Sequence, residues 1–336
     1  MQLIGALVLC GALLAFPVDA ADAARAAMVS WYEAYAPAML PFFVVLPVLS
    51  GGDAAALYER VFGRVMRRLF NLPGRVAGAV VIGLVAGSPA GCLALVRLGG
   101  GTMNRGELSR AALMASGLSP LFLFSGIGGA MLGSLDAGLI LVRAQLAAQL
   151  ICGLLFRCAW ADDDVETLAA PAAASSGAVA AVLGVCGYMV IFAVIARLVS
   201  VIVGGRIELP VLAALEVAGG SARISTLDMP LEVRLQILSA MCGFSGLSIM
   251  MQNLARLRLA GLPPLRLVIG KAVQAAVAVL ACGVQLRLGA CPDMGQTGAF
   301  DMAFCALIAS VLLFIPTLCG IVVILRRSSH STRKML

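Results

Sequence analysis

Apolar residues in this chain neither alternate nor recur every three or four positions. They run in continuous stretches of about 20, separated by short polar connections. Wound as α-helix, such a stretch is long enough to cross a hydrocarbon core of roughly 30 Å. Ten blocks are legible, at about 3–16, 31–49, 76–97, 108–132, 135–157, 177–203, 209–222, 235–255, 265–288 and 303–325. The pattern predicts an all-α polytopic membrane protein. Residues 3–16 also have the length of a signal-peptide core, with Val18-Asp19-Ala20 as a poor cleavage site. No positive stretch precedes them, so a first membrane helix is the favoured reading. In the second block, Pro37, Pro41 and Pro47 are expected to interrupt any continuous helix, each removing a backbone donor. Trp31, Tyr32 and Tyr35 suit a membrane–water interface.

Composition supports this picture: the 336 residues are 61% hydrophobic and 12% charged, with mean hydropathy +1.03. Soluble domains carry roughly twice that share of charge. A disulfide scaffold, a disordered chain and a nucleic-acid binder are excluded by the same numbers. Most cysteines lie inside apolar runs (Cys10, Cys92, Cys152, Cys186, Cys242, Cys282, Cys305, Cys319), where a thiol acts as a small hydrophobe. No metal-ligand spacing involves the single histidine, His330, which lies in a basic tail. No metal or cofactor is expected, apart from a coupling proton or sodium ion.

Matching interruptions divide the chain into an internal repeat. Leu84-Val85-Ala86-Gly87-Ser88 lies over Glu216-Val217-Ala218-Gly219-Gly220 at an offset of 132. Met114-Ala115-Ser116-Gly117-Leu118-Ser119-Pro120-Leu121 lies over Ala240-Met241-Cys242-Gly243-Phe244-Ser245-Gly246-Leu247 at an offset of 126, with Glu107 opposite Glu232 between them. Each unit reads as a broken apolar segment, a polar connection and a broken membrane helix, followed by a full crossing. Gly, Ser and Ala are also common at tight helix interfaces in membranes. Four breaks in two equivalent pairs nevertheless favour a transporter, in which interrupted helices meet at a midplane site.

Charge gives a topology. With the segments at 79–97 and 209–222 as re-entrant hairpins, about eight spanning helices remain. Both termini then fall in the cytoplasm. The stretches 51–75, 97–110, 157–176, 256–271 and beyond 325 hold 17 of the 24 Lys and Arg on that side, as the positive-inside rule favours. Arg60, Arg64, Arg67, Arg68 and Arg75 mark a basic amphipathic loop. Arg143 and Arg197 lie inside helices, Arg197 reaching an interface by snorkelling. The two hairpins open to opposite sides, making the repeats inverted. The expected organisation is N-terminal membrane segments and the basic loop over 1–75, a first repeat over 76–160, a polar linker over 161–176 and a connecting helix over 177–203. A second, inverted repeat follows over 204–288, then a last membrane helix and basic tail over 289–336.

At Leu40-Pro41-Phe42-Phe43, Leu69-Phe70-Asn71-Leu72-Pro73-Gly74, Gly87-Ser88-Pro89-Ala90-Gly91 and Leu118-Ser119-Pro120-Leu121-Phe122 the chain resembles the YlbJ-type sporulation integral membrane proteins. Those proteins belong with the nucleoside-recognition gate domains and resemble concentrative nucleoside transporters. The likeness continues through Glu216-Val217, Gly219 and Gly243-Phe244-Ser245-Gly246-Leu247-Ser248. It implies a multi-pass protein of the cell membrane or the outer forespore membrane. The family is associated with moving dipicolinic acid toward the spore core and with cortex formation. Two departures bear on substrate and proton coupling. The family tends to be more polar where this chain has Ser116-Gly117-Leu118, and tends to have a His where Met250 stands.

A small dianion needs positive potential without many buried charges, and broken-helix N-termini supply it. The candidate binding residues are Gly87, Ser88, Pro89, Gly91, Ser116, Ser119 and Pro120 in the first unit. In the second they are Glu216, Gly219, Gly220, Ser221, Ser245, Gly246, Ser248 and Gln252. Glu216 could carry a proton or sodium ion, or simply cap the adjacent half-helix. Arg143, Gln145 and Gln149 are pathway candidates, with Asn253 and Gln274 weaker ones; equally, the glutamines could be interhelical hydrogen bonds and Arg143 could pair with an acid. The expected partners are the bilayer and a small anionic solute, with a homo-oligomer left open. A nucleoside or other small solute is the alternative cargo, and a scaffold for cortex assembly the alternative role. An intramembrane enzyme has little to build on: metalloprotease, nucleophile-elbow and nucleotide-loop motifs are absent, and acid–base chemistry would fall to Glu216 or Asp136.

Overall fold

A computed structural model describes residues 2–101, 103–160, 178–203 and 208–289. The expected last membrane helix at 303–325, the linker at 161–176, Arg206 and the tail with His330 lie outside them. Every regular element among the described residues is helical. In order these are α1 (Gln2–Ala15), α2 (Pro17–Ser30), α3 (Ala36–Leu49), α4 (Gly52–Val65), α5 (Ala77–Val85), α6 (Ala90–Gly99), α7 (Arg105–Ala115), α8 (Leu135–Leu155), α9 (Ala178–Val203), α10 (Glu208–Leu215), α11 (Val217–Ser225), α12 (Leu231–Phe244), α13 (Gly246–Leu257) and α14 (Pro264–Arg287). Wider π-turns occupy Trp31–Tyr35, Met66–Phe70 and Phe122–Met131.

Four helical stretches are long and apolar enough to cross a membrane: Leu135–Leu155, Val179–Ile202, Leu231–Leu257 and Pro264–Arg287. Two bent pairs raise the number to six if each pair is one span, α1 with α2 at 102° and α3 with α4 at 82°. Outward faces carry Leu7, Leu14, Val44, Leu155, Leu183 and Leu280, all more than half exposed. That belt suits hydrocarbon rather than water.

The prolines of the second block do not break it. Pro37 falls in the first turn of α3, where its missing N–H costs nothing, while Pro41 and Pro47 sit inside a helix that continues to Leu49. Each internal proline removes one bond of a ladder that retains the others. The 82° turn after α3 starts the amphipathic α4, where Ala54, Tyr58 and Gly63 are buried while Arg60 and Arg64 are exposed. Arg67 pairs with Glu59, whose other oxygen accepts from the Arg75 N–H at 2.8 Å.

Arg197 is not left without a partner. It donates through Nε and Nη2 to one oxygen of Asp19 on α2, at 3.1 and 2.7 Å. Both side chains are partly exposed, so screening limits the pair. A double-mutant cycle on Arg197→Gln and Asp19→Asn is expected to give a coupling of about 0.5 kcal/mol in thermal unfolding. Nor are two of the basic residues assigned to loops outside the bundle. Arg110, 4% exposed, donates to the carbonyls of Ala159 and Asn71, and Lys271, 1% exposed, lies deep in α14.

Candidate functional site

Helices stop at four places inside the bundle: between α5 and α6, after α7, between α10 and α11, and between α12 and α13. In the first half the breaks fall at the residues expected. Gly87 takes φ +72°, and α6 starts at Ala90. In the second half the break falls at Glu216, and Gly219 and Gly220 are helical within α11. The cause is local: Glu216 adopts an extended backbone, and its carboxylate accepts from the N–H groups of Ala218, at 3.0 Å, and Gly219. A residue that caps the next helix cannot continue the previous one.

Both short pairs fold back on themselves. A Cβ on Gly91 would lie 2.5 Å from Gly83 Cα, and one on Gly220 would lie 2.8 Å from Ala213 Cα. Residues seven or eight apart in a straight helix stand more than about 10 Å apart at 1.5 Å rise each. Each folded-back tip then rests on a later break. Gly87 leaves no room for a side chain against Ser119 N, 2.5 Å from its would-be Cβ, and the Ser88 N–H donates to Gly117 O at 2.8 Å. In the other half, a Cβ on Gly246 would lie 2.7 Å from Val217 Cγ2. The same tip-on-break contact therefore occurs in both halves.

Between them lies a cavity of about 170 Å³, lined from three of the breaks and from the start of α13, just past the fourth. At roughly 30 Å³ per water it has room for a small solute. Ala86 and Ser88 come from the first break, Leu118 and Ser119 from the second, and Glu216 and Val217 from the third. Ser248, Ile249 and Gln252 come from α13, just past the fourth. The rest of the wall includes Tyr35, Met39, Phe122, Val185 and Met189. Tyr35, expected at the membrane–water interface, stands in this wall, its ring 5.6 Å from that of Phe122.

Five of the candidate binding residues line the cavity: Ser88, Ser119, Glu216, Ser248 and Gln252. The others are not in its lining. Gly87, Gly91, Gly220 and Gly246 serve close backbone packing. Pro89 and Pro120 flank the breaks, and the Gly219 N–H is taken by Glu216. Ser221 is fully buried away from the cavity with an unpartnered hydroxyl. The Ser116 carbonyl and the Ser245 hydroxyl both accept from Lys271 Nζ, at 2.7 and 3.1 Å. Gln149 donates to Met114 O at 3.0 Å, filling space left by Gly117, and Gln145 is buried one turn away. Gln145, Gln149 and Arg143 all lie outside the cavity lining.

Three polar residues matter more than their sequence suggested. Asn253 donates to Ser88 Oγ at 3.0 Å, joining the second half to the first tip. Tyr35 gave no periodic signal. Lys271 did give one, as one of two lysines beside 22 arginines and set inside an apolar run.

The apolar helices, their lipid-suited outer faces and the interior broken helices define a multi-pass α-helical integral membrane protein. The chain is similar to the sporulation integral membrane protein YlbJ of Bacillus subtilis (strain 168), with 23% identity over 295 residues, 73% of this chain and 72% of that protein. This bears out the YlbJ-type likeness carried by the short motifs. No protein-family profile and no solved structure matches the chain.

Proposed function

We propose that this protein moves a small solute across a membrane during sporulation, by alternating access between two inverted broken-helix repeats. The observation that carries the reading is a cavity lined from three of the breaks and from the start of α13, just past the fourth. Packing interrupted helices around an internal chamber serves little purpose in a scaffold, whereas it is how transporters build a midplane site. About eight crossings and opposed hairpins complete the proposed architecture.

Dipicolinate is the first candidate cargo, on the strength of the likeness to a sporulation protein. Its chemistry sets a condition. Glu216 is the charged side chain in the lining, and it already occupies the N-terminus of α11. Like unit charges 4 Å apart repel by about 4 kcal/mol at an effective dielectric of 20. A dianion therefore needs a proton or sodium ion to enter with it. A second reading rests on the same lining: Tyr35, Ser88, Ser119, Ser248 and Gln252 offer neutral hydrogen-bonding groups that suit a nucleoside.

The test is uptake into vesicles carrying the purified protein, with dipicolinate and a nucleoside run in parallel. Wild type is expected to load dipicolinate above empty vesicles, and Ser248→Leu, which fills the chamber, to lose most of that loading. Loading of the nucleoside alone would replace the cargo. Movement of neither would overturn the transport reading.

A further inference from the structure

A fully buried ammonium is expensive in a membrane protein and marks a role. Lys271 Nζ donates to the carbonyl of Ser116 and to the hydroxyl of Ser245, and no described carboxylate pairs with it. Those two acceptors hold matching places. Ser116 is the residue that ends α7, and Ser245 is the residue that ends α12. α7 therefore points the negative end of its dipole at the ammonium, while at Ser245, where α13 follows α12 at once, the hydroxyl is the acceptor. Ser245 also donates to Cys242 O at 3.3 Å, so its oxygen faces Lys271 as an acceptor.

Unwound carbonyls and half-helix C-terminal ends are the places where membrane transporters hold a free monovalent cation. We infer that Lys271 is a tethered cation occupying such a place. Its four-carbon stem delivers from α14 the charge that a free ion supplies elsewhere, and it fastens the breaks of the two halves together. Cutting the stem back would leave a monovalent-cation site formed by Ser116 O and Ser245 Oγ, open to sodium or a small alkylammonium. This inference rests on the transport reading only in its view of what such a place otherwise holds.

The test uses the purified full chain in detergent, its thermal stability measured in choline, sodium and ethylammonium chlorides. Choline is too bulky for the gap. Lys271→Ala is expected to melt about 5 °C or more below wild type in choline, the scale of one lost charged hydrogen-bond set, and to recover most of that in sodium or ethylammonium. Lys271→Met, which fills the space without charge, is expected to stay low in all three, and wild type to ignore the exchange. An alanine variant indifferent to the cation, or a wild type that itself needs sodium, overturns the inference. A second measurement needs no variant. The chain has two lysines, Lys271 and Lys334, so isotope-labelled lysine gives two side-chain nitrogen signals. One is expected as a slowly exchanging ammonium at neutral pH, unchanged when sodium is removed. A neutral amine there also overturns it. If these results hold while vesicles move no solute, the tethered cation stands and transport falls. Uptake by a protein whose alanine variant ignores cations has the reverse meaning.

Discussion

Glu216→Ala is expected to lower the melting temperature and to abolish solute uptake, whereas Glu216→Gln keeps the first and loses the second. The alanine removes the acceptor for two N–H groups at the start of α11, inside the bundle. Loss of such a cap costs about 1–2 kcal/mol. Glutamine keeps one acceptor oxygen at the same reach, so the α10–α11 break survives close to its native stability. It does not keep an exchangeable charge. If Glu216 carries the compensating proton or sodium ion, uptake by the glutamine variant falls at least about tenfold, equivalent to some 1.4 kcal/mol in the barrier. Vesicle uptake and thermal unfolding measured on the same preparations separate the two roles. Normal uptake by Glu216→Gln would leave the residue as a cap alone.

The second large effect concerns folding. Gly91→Val places a Cβ 2.2 Å from Ala115 O and 2.5 Å from Gly83 Cα, both backbone atoms that no rotamer change can move. Overpacking of this kind costs about 3 kcal/mol or more, because three chain segments must separate together. Folded yield and melting temperature in detergent are expected to collapse. Gly187→Val is the control: it lies on α9, where a Cβ meets nothing within 4 Å, and is expected to shift stability by less than about 0.5 kcal/mol. Equal behaviour of the two variants would mean that α6 and α7 are not in backbone contact.

Much of this architecture was legible in the residues, for reasons that differ by level. Hydrophobic run length reports crossings directly, so Leu135–Leu155, Val179–Ile202 and Pro264–Arg287 coincide closely with expected blocks. Helix breaks show when glycine or proline coincides with a polar residue, which exposed the interruptions near Gly87, Ser119 and Ser245. Glycines at 219 and 220 point to a break there, but the carboxylate of Glu216 caps α11 and ends α10 three residues earlier. Proline misled in the other direction at Pro41 and Pro47, where a long apolar helix tolerates the loss of single bonds. Side-chain pairing across the bundle was the least visible. Nothing local to Arg197 reveals Asp19, 178 residues away, and nothing local to Lys271 reveals Ser116, 155 residues away.

The cradle formed by Gly83, Gly91 and Ala115 has a mechanical corollary. Where main chains touch with no side chains between them, no torsion can yield, so the first tip and the end of α7 form a stiff block. Another part of the chamber wall is made differently: Met39 and Met189, with Tyr35 and Val185, meet the interior through side chains rather than main chain. A motion that opened the chamber would therefore meet less resistance on that side than at the glycine contacts.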